Sequence, residues 1–594
     1  MRMLVRVLFV VVIASAAAAV VPAVTDVRGR VQAAPPRQTT EALPDATALA
    51  RLSARLAPVD LEVDVSHLPA SERAALTKLI QAAKVMDPIY LRQVWAGNAA
   101  LLVELAADTT TLGKARLRAF LQNKGPWSRL DDERPFLPGV DAKPPAGSFY
   151  PPDSTKEEVE AWMKALPPAA HVGASGFFTT IRRGPAGKLE AVPYGIEHQS
   201  ELGRAAALLR DAATLTQQPT LRAFLEKRAA AFLSNDYHDS DVAWMRIDAS
   251  VEPTIGPYEV YEDGWFSAKA AFEAFITVRD DVETAKLAKL GGALQDIEDH
   301  LPIEAAWRNP KLGALAPIRV VNSLFSSGDG NRGVQTAAFN LPNDERIAKE
   351  MGTKRTMLKN IQEAKFRVVL RPISRLALSA TDEKAVSFEG FFSHILMHEL
   401  MHGLGPHEVV SPGAGGAVGG AAAAAPAKAR TVRAALQETY GALEEAKADI
   451  SGLFALQYLV DKGVLDKALE RTMYPTFLAS TFRSIRFGLK EAHGQGIALQ
   501  LSTLLDAGAF TVGKDGRFSV NGAKTREAAR ALTAEIMTIQ ATGDKARAAE
   551  LLRTRAVIRP EVQRVLDRLS RVPVDIEPRF VTAEKLLAAG NQNR

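Results

Sequence analysis

Ser387-Phe388-Glu389-Gly390-Phe391-Phe392-Ser393-His394-Ile395-Leu396-Met397-His398-Glu399-Leu400-Met401-His402-Gly403-Leu404-Gly405-Pro406 is the stretch from which the rest of the chain is read. Phe388, Phe391, Phe392, Ile395 and Leu396 recur at helical spacing, and Gly403, Gly405 and Pro406 end the run just after His402. Within it lies His398-Glu399-Leu400-Met401-His402, an H-E-x-x-H. Residues four apart share one face of a helix. Two imidazoles so placed can grip one zinc, with Glu399 beside the coordination position left open. His394 and His407 flank the motif and are read as lying beside the site rather than on the metal.

A catalytic zinc takes three protein ligands and keeps a fourth position for water. Its imidazoles also need a carboxylate or carbonyl for the other ring nitrogen. The next helical segment, Glu438-Thr439-Tyr440-Gly441-Ala442-Leu443-Glu444-Glu445-Ala446-Lys447-Ala448-Asp449, offers both. Glu445 has an acid four residues on, Asp449, whereas Glu444 is followed at that spacing by Ala448 and Glu438 by Ala442. The spacing selects Glu445 as third ligand and Asp449 as the acid supporting the ligands. One Zn2+ per chain is the cofactor this implies.

The 594 residues contain no cysteine, which excludes disulfide frameworks, thiol nucleophiles and cysteine zinc sites. Any metal must sit on His, Asp and Glu. The net charge of +5 is spread over the whole length without a dense Lys/Arg run, so no nucleic-acid partner is expected. Met1 to Arg6 is a short basic start, and Val7 to Val21 an apolar run shorter than the roughly 20 residues of a membrane span. Residues 1–33 therefore read as a signal peptide and 34–50 as a linker. The mature protein is expected to be exported, periplasmic or extracellular, without stable membrane insertion once the signal is removed.

Helical periodicity runs from Ala46 to about Gln122 and resumes over 199–233, 386–507 and 523–570. Residues 125–153 hold seven prolines and read as irregular. Residues 251–280, 315–345 and 361–379 read as strands and turns, with Phe366-Arg367-Val368-Val369-Leu370 a strand. A Gly/Ala-rich stretch at 408–430 reads as a loop. The pattern is mainly α with a smaller β part.

Several blocks, in order, resemble the dipeptidyl peptidase III family of zinc metallopeptidases, particularly its bacterial and plant members. Glu444-Glu445-Ala446-Lys447-Ala448-Asp449 is similar to the family's EECRAE helix, and Ile255-Gly256-Pro257-Tyr258-Glu259-Val260-Tyr261 to its IGFIESY segment, continued by Phe272-Glu273-Ala274-Phe275. Asn340-Leu341-Pro342-Asn343 is similar to NIPN, and Ala492-His493 with Leu501 to Gly508 to the AHMQARFVILRVLLEAG helix. The resemblance spans roughly residues 50–570. Some plant members carry a fused Nudix domain; this sequence shows no Nudix box.

The resemblance implies a two-lobed α+β metallopeptidase with a cleft between the lobes. One lobe, 280–323 plus 373–565, is helical and carries zinc on His398, His402 and Glu445. The other, 51–279 plus 324–372 plus 566–594, is mixed and contains a β-barrel-like sheet. It implies catalytic roles for Glu399 as base and for Tyr261 and His493 as oxyanion donors. Glu259, Asn340 and Asn343 would gather around the free ammonium of an oligopeptide substrate. Two departures stand out: the family's HELLGH has one more residue between Glu and the second His, and Ile497 replaces an arginine that engages substrate. An endopeptidase or aminopeptidase of gluzincin type, or a peptide-binding export protein with structural zinc, remains an alternative reading.

Overall fold

The computed structural model describes residues 43–312, 318–409 and 430–592. The expected signal peptide, the first part of the linker and most of the Gly/Ala-rich stretch lie outside the described residues. The rest of the linker enters a helix, Ala46–Ser53, whose first turn is capped by Asp45. No helix among the described residues is long and apolar enough to cross a membrane.

The chain is mostly helical around two hydrophobic cores, in a two-lobed α+β arrangement. One core gathers residues from Val59 to Ala364 and again from Ile576 to Ala583. The other is built from Leu287 to Val572 and contains the H-E-x-x-H helix. The C-terminal strand Asp575–Phe580 returns to pair in parallel with Leu56–Leu61, and the buried Lys365–Asp575 ion pair, 2.8 Å, pins it.

A five-stranded sheet carries the β part, in the order Val251–Glu259, Ala271–Arg279, Ile318–Gly328, Lys354–Leu358, Ala338–Leu341. The first two strands have every residue buried but the last, Glu252, Thr254, Glu273 and Thr277 included. Towards the Ala338–Leu341 edge the sheet is shared. Ile318, Val320, Met357 and Ala338 pack on the helical core, while Val321, Leu358, Phe339 and Leu341 pack on the other. Strand alternation thus turns one face of these strands to each core.

The strand expected at Phe366–Leu370 is not there. These residues form a π-helical turn continuing the helix Lys359–Lys365 into Arg371–Ala377, so 361–379 is helical rather than strand and turn. The β-branched composition suggested a strand, but burial of Val369 and Leu370 against the helical core decides otherwise. The wide turn also falls where the ring of Pro372 would clash with the carbonyl four residues before it in an ordinary helix.

Candidate metal centre and substrate cleft

The helix Phe388–Met401 starts at Ser387, whose hydroxyl accepts a hydrogen bond from the Gly390 amide at 3.0 Å. It crosses Tyr440–Asp461 at Gly452, where even a methyl group would sit 3.2 Å from the His398 amide nitrogen. Ala492–Asp506 approaches the same helix at Gly496, where a Cβ would lie 3.0 Å from the Ala446 nitrogen. Two glycines thus let three helices converge on one point.

At that point ligand atoms of His398, His402 and Glu445 all lie within 4.8 Å of one another. Glu445 Oε2 is 3.4 Å from His398 Nε2, 3.8 Å from His402 Nε2 and 3.2 Å from His493 Nε2. It is buried and makes no well-formed hydrogen bond to any of them. A buried oxygen left so is costly unless something else satisfies it.

The far sides of the two imidazoles are held. His398 Nδ1 lies 2.7 Å from Asp449 Oδ1, and His402 Nδ1 lies 2.9 Å from Glu444 Oε1. Glu444 is itself held by Lys447 at 2.8 Å and by Gln540, which donates to its other oxygen at 2.8 Å. Gln500 donates to Asp449 Oδ2 at 3.2 Å. The Nε2 of each ring is thereby turned towards the centre, 3.2 Å from the other.

Burial pushes the Asp449 and Glu444 carboxyls up, but neighbouring charges reverse this. His398 with its hydrogen bond holds Asp449 well below the carboxylate range, and Lys447 and His402 do the same for Glu444. Burial opposes a charge on His398, yet Asp449 and Glu445 raise it well above an ordinary imidazole. Three carboxylates and one lysine surround the imidazoles, a local excess of negative charge that suits a divalent cation. The residues present therefore fit a metal, with nitrogen and oxygen donors of the kind zinc takes.

Glu399 sits on the same helix, partly buried. His493 is 41% exposed and its ring lies 6.1 Å from that of His398, nearly parallel. His394 turns away, its Nε2 2.9 Å from the Asp449 carbonyl, and His407 is exposed, 3.2 Å from the Gly403 carbonyl.

The other expected residues collect on the sheet. A β-bulge at Tyr258 places Glu259, rather than Tyr258, opposite Ala271, and so on the face of Glu273. Burial pushes the Glu259 carboxyl up to about 7, with Asp329 adding to the effect and Arg332 opposing it. Burial likewise raises Glu273 well above the usual range, reinforced by Glu259 and Asp329. Tyr261 lies just past the strand end, 41% exposed, its hydroxyl pushed up by burial and by Glu259. Asn343 donates from its amide to the Tyr258 carbonyl at 2.9 Å, tying its loop to the Glu259 strand. Asn340 lies on the edge strand, its Oδ1 buried without a partner.

Two residues of these groups lie outside what spacing reveals. No acid follows Glu444 at helical spacing, and its partner is His402 on another helix. Glu273 stood within a matched block, and its signal is a lone acid in an otherwise apolar strand.

A two-lobed α+β fold with this donor group is of the class that can hold a metal for hydrolytic chemistry. Residues 187–409 match Peptidase family M49. A dipeptidyl-peptidase III structure from Corallococcus sp. strain EGB is 65% identical, covering 92% of this chain and 99% of that one, with a TM-score of 0.78. The structure of DPP III from Caldithrix abyssi is 44% identical, covering 90% and 100%, with a TM-score of 0.86. An Arabidopsis thaliana protein named Nudix hydrolase 3 is 41% identical over 584 residues, covering 90% of this chain and 74% of the relative. The chain belongs to peptidase family M49 and is a dipeptidyl peptidase III-like peptidase.

Proposed function

We propose that this peptidase uses zinc and hydrolyses oligopeptides near a free N-terminus, and that it acts after export. The observation carrying the N-terminal reading is the pair Glu259 and Glu273, a half-buried and a buried carboxylate on one sheet face with no ion-pair partner among the described residues. Each of these carboxyls makes a charge on the other costly, and a cation between them relieves that cost. An α-ammonium supplies that cation, and Asn340 Oδ1 is a further unsatisfied acceptor for its three donors.

His398, His402 and Glu445 would hold the zinc, which when bound supplies Lewis-acid polarisation of water and of the scissile carbonyl. Glu399 takes a proton from the attacking water on its carboxylate and delivers it to the leaving amine. The Tyr261 hydroxyl and a His493 ring N–H donate to the oxygen on which negative charge develops. Asp449 and Glu444 keep the ligand imidazoles in the tautomer that faces the centre. A purely structural metal site has no use for a base at Glu399 or for an exposed imidazole such as His493 beside the donors, which disfavours the non-catalytic reading.

The test is a time course on matched octapeptides, free and N-acetylated. The free peptide should be cut near its N-terminus and the acetylated one poorly, with Glu259→Gln narrowing the difference. Equal cleavage of both at internal bonds would leave an endopeptidase.

A further inference from the structure

Arg228, on the helix Pro219–Ser234, is wholly buried, and its Nη2 forms an ion pair with Asp241 on the helix His238–Met245. Its guanidinium carbon lies over three rings, Tyr237 at 5.3 Å and Phe224 and Tyr258 each at 5.4 Å. Its other neighbour is backbone. A Cβ on Gly256 would lie 2.4 Å from Arg228 Nη1, so the guanidinium fills the place of a side chain there. Gly256 has a φ of +149°, where L side chains are rarely found, and it stands opposite Glu273 in the strand register. Tyr258, two residues on, is the extra residue of the bulge that puts Glu259 opposite Ala271. The Tyr258 ring meets Arg228 and the Tyr258 carbonyl accepts from Asn343, so the bulge is held by side chain and by backbone.

Packing alone does not ask for a guanidinium in this place. Arg228 Nε and Nη1 are buried without a hydrogen-bond partner, as are the hydroxyls of Tyr237 and Tyr258. A buried ion pair with idle donors contributes little stability that apolar side chains of similar volume would not. What it supplies is shape, a flat cation over three ring faces whose direction Asp241 fixes. We propose that Arg228 is a positioning residue for the substrate's ammonium: held by Asp241, it keeps the Tyr258 bulge in register, and the bulge keeps Glu259 beside Glu273. Slippage of the bulge by one residue would turn Glu259 to the other face of the sheet. The assignment rests on the N-terminal reading for what the two acids bind.

The experiment measures kcat and KM on the matched free and N-acetylated octapeptides, with metal content and Tm recorded for every variant. The zinc-loaded parent should favour the free peptide. Arg228→Lys, Gly256→Ala and Tyr258→Leu should each lower that preference by roughly 10-fold, mainly through a higher KM for the free peptide, at full metal content. Tyr258→Phe keeps the ring and should keep the preference. Leu209→Ala opens a cavity in the same core, on the neighbouring helix Gln199–Leu215, and should lower Tm while leaving the preference unchanged. An unchanged preference in Arg228→Lys, or in both Gly256→Ala and Tyr258→Leu, overturns the proposal. An equal loss in Leu209→Ala also overturns it, because the effect would then be one of stability. The Gly256 and Tyr258 variants decide the matter if Arg228→Lys fails to fold. A parent without preference would instead remove the N-terminal reading, and the proposal with it.

Discussion

At the residue scale the metal group divides into donors and the acids behind them. His398→Ala or Glu445→Ala should lose most of the bound metal, because each removes one of three converging donor atoms. Asp449→Ala and Glu444→Ala should each weaken binding by roughly 10–100-fold, as loss of an outer hydrogen-bond partner does. Competition with a chelator reads both, and undiminished affinity in Glu444→Ala would detach it from His402. Glu259 makes a different prediction. With its carboxyl pushed up to about 7, the folded chain keeps a proton there that the unfolded chain has already released. Stability of the substrate-free protein should then fall as pH rises from the ordinary carboxylate range through about 7. Glu259→Gln should flatten that slope and exceed the parent in Tm at about pH 8. An unchanged slope would place the proton elsewhere.

At the element scale the centre depends on how closely three helices approach. Gly452 is the contact between Tyr440–Asp461 and the H-E-x-x-H helix, with His398 nitrogen 3.2 Å and Met397 carbonyl carbon 3.3 Å from any added Cβ. Both neighbours are backbone and cannot rotate away. Gly452→Val should therefore cost about 1–3 kcal/mol, more than it regains in helix propensity, and should weaken metal binding by moving His398 from Glu445. Thermal melts with and without metal separate the two effects. A variant as stable as the parent with full metal affinity would show that the helices have room. The sheet follows another rule: alternation on Lys354–Leu358 decides that Arg355 and Met357 face one core while Leu358 faces the other.

At the scale of the whole molecule, the strands that carry Glu259 and Glu273 pack in the first core, the metal donors sit on helices of the second, and the Ala338–Leu341 edge of the sheet packs on both. The basic start and apolar run ahead of the first described helix carry the proposal of export. Expression of the full chain in a bacterium should yield a mature form beginning between Val20 and Ala34, read by N-terminal sequencing of the secreted fraction. An intact Met1 on a cytoplasmic product would remove the export reading.

The sequence by itself determined the relations that one helix imposes at short range. His402 follows His398 by four positions, as Asp449 follows Glu445, and helical geometry puts each pair on one face whatever surrounds it. It also determined that 251–280 holds strands, which the structure places at Val251–Glu259 and Ala271–Arg279. Tertiary structure alone decided whatever depends on a partner distant in the chain. Glu444 meets His402 across 42 residues. The bulge that turns Glu259 towards Glu273 is set by pairing with the neighbouring strand, and Phe366–Leu370 winds into a π turn because the helical core covers it. Local propensity differs by a few tenths of a kcal/mol per residue, so burial against a distant surface, at about 1.5–3 kcal/mol per large side chain, overrides it.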